Sequence, residues 1–165
     1  MASERFVAAL TEQIAREFAA AHQYVAIGNY YSAETFPQLT SFFYDQAEEE
    51  REHAMKMVNY LIDMGIQPDI GGVESPKGGF GDHVEPIRVA LEQERQVTIK
   101  ISELFEIARE TRDYASEQFM QWFVQEQVEE EAAMGDLLAV AERTVSVPML
   151  LEEYLARDKP GARPE

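Results

Sequence analysis

Apolar residues recur at alternating steps of three and four along most of this 165-residue chain, which is the spacing of an amphipathic α-helix. The same stretches are rich in Glu, Ala, Gln, Leu and Met, and they lack the alternation of β-branched and polar residues that is typical of strands. The pattern therefore predicts five helices, at about residues 3–33, 37–64, 83–111, 113–144 and 147–157.

Glycine and proline mark one long connection. Six of the nine glycines lie between residues 64 and 85, so this segment is predicted to be an irregular loop. About 18 loop residues reach up to ~60 Å, which exceeds the ~45 Å length of a 30-residue helix. The predicted fold is all-α, a four-helix bundle with a long crossover between its second and third helices. A short fifth helix with an apolar face completes a single domain over residues 1–165.

Each long helix carries an acidic residue near the middle of its otherwise apolar seam. These residues are Glu17, Glu50, Glu94 and Glu130 in the first to fourth helices. His53 follows Glu50 by three positions and therefore lies on the same helix face.

Four buried carboxylates require neutralisation. A single seam glutamate could lie at the edge of the core, with its stem packed and its carboxylate in water. Four are different, because burying each carboxylate costs several kcal/mol, whereas the total stability of a protein is typically about 5–15 kcal/mol. No seam position holds Lys or Arg. Two divalent cations would balance the four negative charges, and mixed carboxylate and imidazole ligands suit iron or manganese, with zinc able to compete.

Composition narrows the remaining choices. The chain has no cysteine, which excludes disulfides, thiolate nucleophiles and Cys-ligated metal sites. The net charge of −17 repels phosphate backbones and anionic lipid surfaces, so neither nucleic acid nor a membrane is an expected partner. No signal-peptide pattern and no run of ~18 apolar residues is present, so a cytoplasmic protein is expected.

From about residue 5 to residue 156 the sequence resembles the bacterial non-haem ferritins. Ferritin-like di-iron proteins place one glutamate on each of two helices and a Glu-x-x-His motif on each of the other two. Glu17 and Glu94 match the single glutamates, and Glu50-x-x-His53 matches one motif. The resemblance covers nearly the whole chain and implies a ferritin-like bundle.

The fourth helix departs from that pattern. It reads Gln127-Val-Glu-Glu130, without histidine, whereas bacterioferritins, rubrerythrins and di-iron oxygenases normally carry a second Glu-x-x-His. The resemblance is therefore to non-haem ferritins, and it implies that Gln127 lies just behind the iron ligands. It implies two iron ions per subunit bridged by Glu50, one held by Glu17, Glu50 and His53 and the other by Glu50, Glu94 and Glu130.

The resemblance also implies roles for neighbouring residues. Tyr24 lies seven residues after Glu17 on the same face, where a ferritin tyrosine donates a hydrogen bond and an electron, although plain packing also explains it. Trp122 could act in the same way, and core packing is the simpler interpretation. No haem is expected, because Arg51 stands where a bacterioferritin has its haem-ligating methionine.

Further acids flank the predicted ligands. Glu49, Glu126 and Glu129 each lie within one to four residues of a predicted ligand. They are either solvated helix faces or, as in some prokaryotic ferritins, a third iron site next to Glu130.

The function implied by the resemblance is iron storage. A ferroxidase centre would oxidise Fe(II) to Fe(III) with O2 or hydrogen peroxide, and the product would be stored as ferric mineral in a hollow shell of 24 subunits. Exposed aromatic residues and the short fifth helix would support that assembly. The alternatives are another di-iron carboxylate oxidase and a metal-free structural bundle.

Overall fold

The computed structural model describes residues 2–158 and 160–161, and within them the chain is helical, with no strand. Each helix begins and ends within two residues of its predicted bounds, which confirms the all-α prediction. No helix in the described part is long and apolar enough to cross a membrane. The helices are α1 Glu4–Ala33, α2 Pro37–Asp63, α3 Glu85–Glu110, α4 Tyr114–Arg143 and α5 Met149–Arg157.

Local side-chain chemistry sets the helix starts. Ser3 caps α1, because its hydroxyl accepts a hydrogen bond from the Phe6 N–H at 3.1 Å. Asp113 caps α4 in the same way, through the Ser116 N–H at 3.2 Å. Pro37 opens α2, where its missing N–H costs nothing.

The helices pack as two pairs, α1 with α2 and α3 with α4, and α1 also contacts α3. The crossover that joins the pairs is fastened to α1. Gln23 donates to the Lys77 carbonyl at 2.9 Å and accepts from the Lys77 N–H at 2.8 Å. Farther along, the Tyr31 hydroxyl donates to the His83 carbonyl at 2.6 Å. These bonds hold the loop along the bundle.

The core consists of two apolar clusters. In α1 and α4 the chain passes from the cluster that contains Leu10 and Phe123 to the cluster that contains Phe43 and Leu137, and in α2 and α3 it passes in the opposite direction. The predicted acids lie between the two clusters in every helix. The bundle therefore has an apolar, a polar and a second apolar layer.

The fifth helix leaves part of its predicted apolar face exposed. It rests on α2 and α4, with Leu151 fully buried and Tyr154 half-buried. Val147 and Leu150 stay 50% and 47% exposed. Apolar side chains at this end of the subunit therefore remain available for contact.

Glu152 of α5 is buried and caps α2, which has no side-chain cap of its own. Its carboxylate accepts from the Gln38 N–H at 2.8 Å and the Leu39 N–H at 2.9 Å.

We expect Glu152→Ala to lower the free energy of unfolding by about 1–2 kcal/mol, as loss of a helix cap does. Urea unfolding measures this. The exposed neighbour Glu153 is the control, and equal losses for both alanine variants would refute the capping role.

Candidate metal centre

The five predicted ligands meet in the polar layer, each no more than 6% exposed. Their ligand atoms form two groups of three in which all three atoms lie within 4.8 Å of one another. Glu50 belongs to both groups. The first group is Glu17, Glu50 and His53, and the second is Glu50, Glu94 and Glu130.

The first group joins α1 to α2. The His53 Nδ1 lies 3.7 Å from the Glu50 Oε2 and 3.9 Å from the Glu17 Oε2. Neither oxygen of Glu50 has a hydrogen-bond partner among the described residues, and the same is true of the Glu17 Oε2. Buried polar atoms ordinarily have partners, so these oxygens fit a bound cation.

The second group joins α2 to α3 and α4. The Tyr24 hydroxyl of α1 donates to the Glu94 Oε1. The Gln127 amide of α4 donates to the Glu94 Oε2 at 3.1 Å and also contacts the Thr98 hydroxyl oxygen at 3.3 Å. Tyr24 and Gln127 therefore hold the Glu94 carboxylate from opposite helices.

Electrostatics in this layer disfavour ionised carboxylates. Burial raises the pKa of Glu50 well above its ordinary value, and the carboxylates of Glu94 and Glu17 raise it further. Burial raises the pKa of Glu94 to about 7, against the hydrogen bonds from Tyr24 and Gln127. Burial, followed by the charge of Glu94, raises the pKa of Glu130 to about 9. Carboxyl groups in this state hold protons near neutral pH until a cation replaces them.

The stability of the metal-free protein is expected to fall as pH rises from about 5 to about 9. Unfolded glutamates lose their protons near pH 4.5, whereas Glu94 and Glu130 keep theirs to about 7 and about 9. Their stabilising contribution is complete below the unfolded pKa and is lost as pH passes the folded values, at up to about 1.4 kcal/mol per pH unit for each group. Melting of chelator-treated protein across this range measures the slope. The double variant Glu94→Gln, Glu130→Gln should flatten the slope of stability against pH. An unchanged slope in this variant would show that groups other than Glu94 and Glu130 cause the pH dependence.

The flanking acids line a groove of about 790 Å³ between α2 and α4. Glu49 and Glu129 are exposed there, Glu126 is half-buried, and the groove reaches Glu130. Gln46 donates to the Glu49 carboxylate at 3.0 Å. Among the described residues, the three flanking acids belong to neither three-ligand group. They share one groove without forming a compact ligand cluster.

Two residues differ from what the sequence suggests. Trp122 is 40% exposed and does not fill the core, because Lys56 lies over its ring with the Nζ 3.2 Å from the centroid. The ring also packs edge-on against His53, with ring centroids 5.5 Å apart, and against Phe123, with ring centroids 4.8 Å apart. Gln13, which the seam pattern does not single out, donates to the Glu17 carboxylate at 2.8 Å. A glutamine four residues before a seam glutamate lies on the same helix face, but Gln46 has this spacing to Glu50 and donates to Glu49 instead, so the spacing alone does not identify the contact.

Known proteins resemble this chain in sequence and in fold. A family model described as a ferritin-like domain matches residues 7–144. Ferritin BfrB of Mycobacterium tuberculosis is 46% identical over 154 residues, covering 93% of this chain and 85% of its own. The bacterial non-heme ferritin of Staphylococcus aureus is 41% identical over 132 residues, covering 80% of each chain. Among solved structures, the open pore ferritin of the archaeon Archaeoglobus fulgidus superposes with a TM-score of 0.90 at 30% identity, covering 96% of this chain and 99% of its own.

Proposed function

The chain belongs to the ferritin family, and on that premise we propose that it stores iron and oxidises Fe(II) to Fe(III) at the buried centre in α1 to α4. The main observation behind this proposal concerns Glu50. Its two buried carboxylate oxygens have no hydrogen-bond partner among the described residues, and it belongs to both ligand groups. A carboxylate placed in this way suits a bridge between two cations.

Iron is the substrate of the proposed reaction. Two Fe(II) ions give up one electron each, and O2 takes up these two electrons and two protons to form hydrogen peroxide. Hydrogen peroxide is the alternative oxidant and gives two water molecules. Four carboxylates balance the charge of two Fe(II) ions, and the apolar clusters on both sides exclude bulk water.

Tyr24 and Gln127 share one role in this proposal, and Tyr24 has a second. Both donate to Glu94, so they orient one ligand of the second iron. When only one iron ion is bound, the Tyr24 phenol would supply the second electron and a proton to the oxidant and would become a phenoxyl radical.

We propose a shell of 24 subunits as the storage form. Apolar side chains left exposed by the single subunit support assembly, among them Tyr44 at the α1–α2 surface and Leu150 on α5. We expect no haem in this shell, because Arg51 stands where a bacterioferritin has its haem-ligating methionine. The Arg51 side chain is exposed and ion-paired with Glu48 at 3.1 Å.

Aerobic addition of Fe(II) tests the function. A rise in near-ultraviolet absorbance at two irons per subunit, together with a particle the size of 24 chains by size exclusion and light scattering, is the expected result. Oxidation by a small species without mineral would favour another di-iron oxidase. Absence of both oxidation and metal binding would favour the structural bundle.

A third iron site at Glu49, Glu126 and Glu129 is part of the proposal. Changing Glu49 and Glu129 together to alanine should lower the iron count from three toward two per subunit and change the oxygen consumed per iron. Stability should barely change, because both side chains are exposed. Iron titration with an oxygen electrode measures both quantities. Parental values in the double variant would show that these acids are an ordinary solvated surface.

A further inference from the structure

Gln13 is a fully buried amide in the first half of α1. It lies one helical turn before Glu17, and its Nε2 donates to the Glu17 Oε1 at 2.8 Å. The Gln13 Oε1 has no hydrogen-bond partner among the described residues. An unpartnered amide oxygen in a core is unfavourable, and a leucine would avoid it. Fold stability alone therefore does not account for a glutamine at this position.

The hydrogen bond determines how Glu17 presents its carboxylate. Gln13 occupies the Oε1, whereas the Oε2 is buried without a partner and lies 3.9 Å from the His53 Nδ1. The Oε2 therefore faces the first ligand group without a competing hydrogen-bond donor among the described residues. An amide donor cannot itself bind a cation through its nitrogen, so its effect on the site passes through Glu17.

The second ligand group has an equivalent arrangement. Gln127 donates its amide to Glu94, one of the two glutamates that belong to the second group alone, whereas Glu17 is the one glutamate that belongs to the first group alone. One amide thus holds an unshared glutamate of each group, while Glu50, which both groups share, has no hydrogen-bond partner among the described residues.

We propose that Gln13 is a positioning residue for the first metal of the pair, because it fixes the Glu17 carboxylate with one oxygen directed at the site. The proposal rests on the proposed function, since it assumes that both ligand groups bind a cation. It assigns Gln13 to the first group alone.

Cobalt(II) binding distinguishes the two groups. Trp122, the single tryptophan, lies beside His53, so quenching of its fluorescence by Co²⁺ reports mainly on the first group. Equilibrium dialysis counts both metals.

Gln13→Met keeps the length of the side chain but removes the hydrogen-bond donor, and Gln13→Leu is the second variant. Both should weaken first-site binding about 10- to 100-fold, as loss of a hydrogen bond to a metal ligand does, and leave the second affinity close to parental.

Two further variants test the assignment. Gln127→Met should weaken the second affinity and spare the first. Gln23→Met changes another buried glutamine of α1, which binds only the crossover loop, and should leave both affinities unchanged. Parental first-site affinity in both Gln13 variants, or an equal loss at both sites, would overturn the proposal. A parent protein that binds fewer than two Co²⁺ ions would instead contradict the proposed function.

Discussion

Replacing Glu50 by alanine is expected to abolish rapid Fe(II) oxidation while leaving the helix content unchanged. Glu50 is the only residue present in both ligand groups, so a single substitution removes a ligand from each metal. We expect the initial oxidation rate to fall roughly 100-fold or more, beyond the loss typical of residues that only support a ligand. The near-ultraviolet absorbance after aerobic addition of Fe(II) measures this rate.

Glu52→Ala is the matched control for this experiment. Glu52 lies two residues farther along α2 and is exposed, so its loss makes the same change in charge outside the centre. This variant should oxidise iron at the parental rate. Parental oxidation by Glu50→Ala would mean that Glu50 is not the shared ligand.

Divalent cations are expected to raise the melting temperature of chelator-treated protein in proportion to the logarithm of their excess over the dissociation constant. Zn²⁺ is a suitable probe because it binds these ligand types and is not oxidised. A thousandfold excess should stabilise the fold by about 4 kcal/mol for each site. The gain should increase with pH, because protons compete with the metal at Glu94 and Glu130.

Glu94→Gln should reduce this metal response, because it removes one ligand of the second group and preserves the shape of the side chain. Glu92→Gln makes the same change on an exposed residue of α3 and should retain the full response. If metal-free and Zn²⁺-loaded parent proteins melt together, the inference that the buried charge requires a cation is wrong.

Helix boundaries could be predicted because their signals are local. Ser3 and Asp113 cap their helices within three residues of their own positions, and Pro37 fixes a start by its own ring. The buried polar layer could be predicted because four acids on apolar seams violate the burial rule at the same depth. Both the helix boundaries and the buried acids could be predicted without information on which residues contact one another.

Contacts across the bundle could not be read in this way. Glu152 caps the start of α2, where its partners lie 113 and 114 residues earlier in the chain. No spacing in the sequence predicts that contact. Trp122 is 40% exposed, contrary to the core-packing interpretation, because a residue beside the seam can turn either inward or outward. Its direction depends on Lys56 and His53, which belong to another helix.

Local propensity and the cost of burying charge are enough to predict the number of helices, their lengths and one acid per seam. The contacts that those acids make depend on tertiary packing. Helix packing placed Glu50 in both ligand groups, brought Tyr24 and Gln127 to Glu94 from opposite sides, and left one oxygen of Glu17 open. These features depend on distances between helices and on side-chain rotamers, which one-dimensional periodicity does not encode.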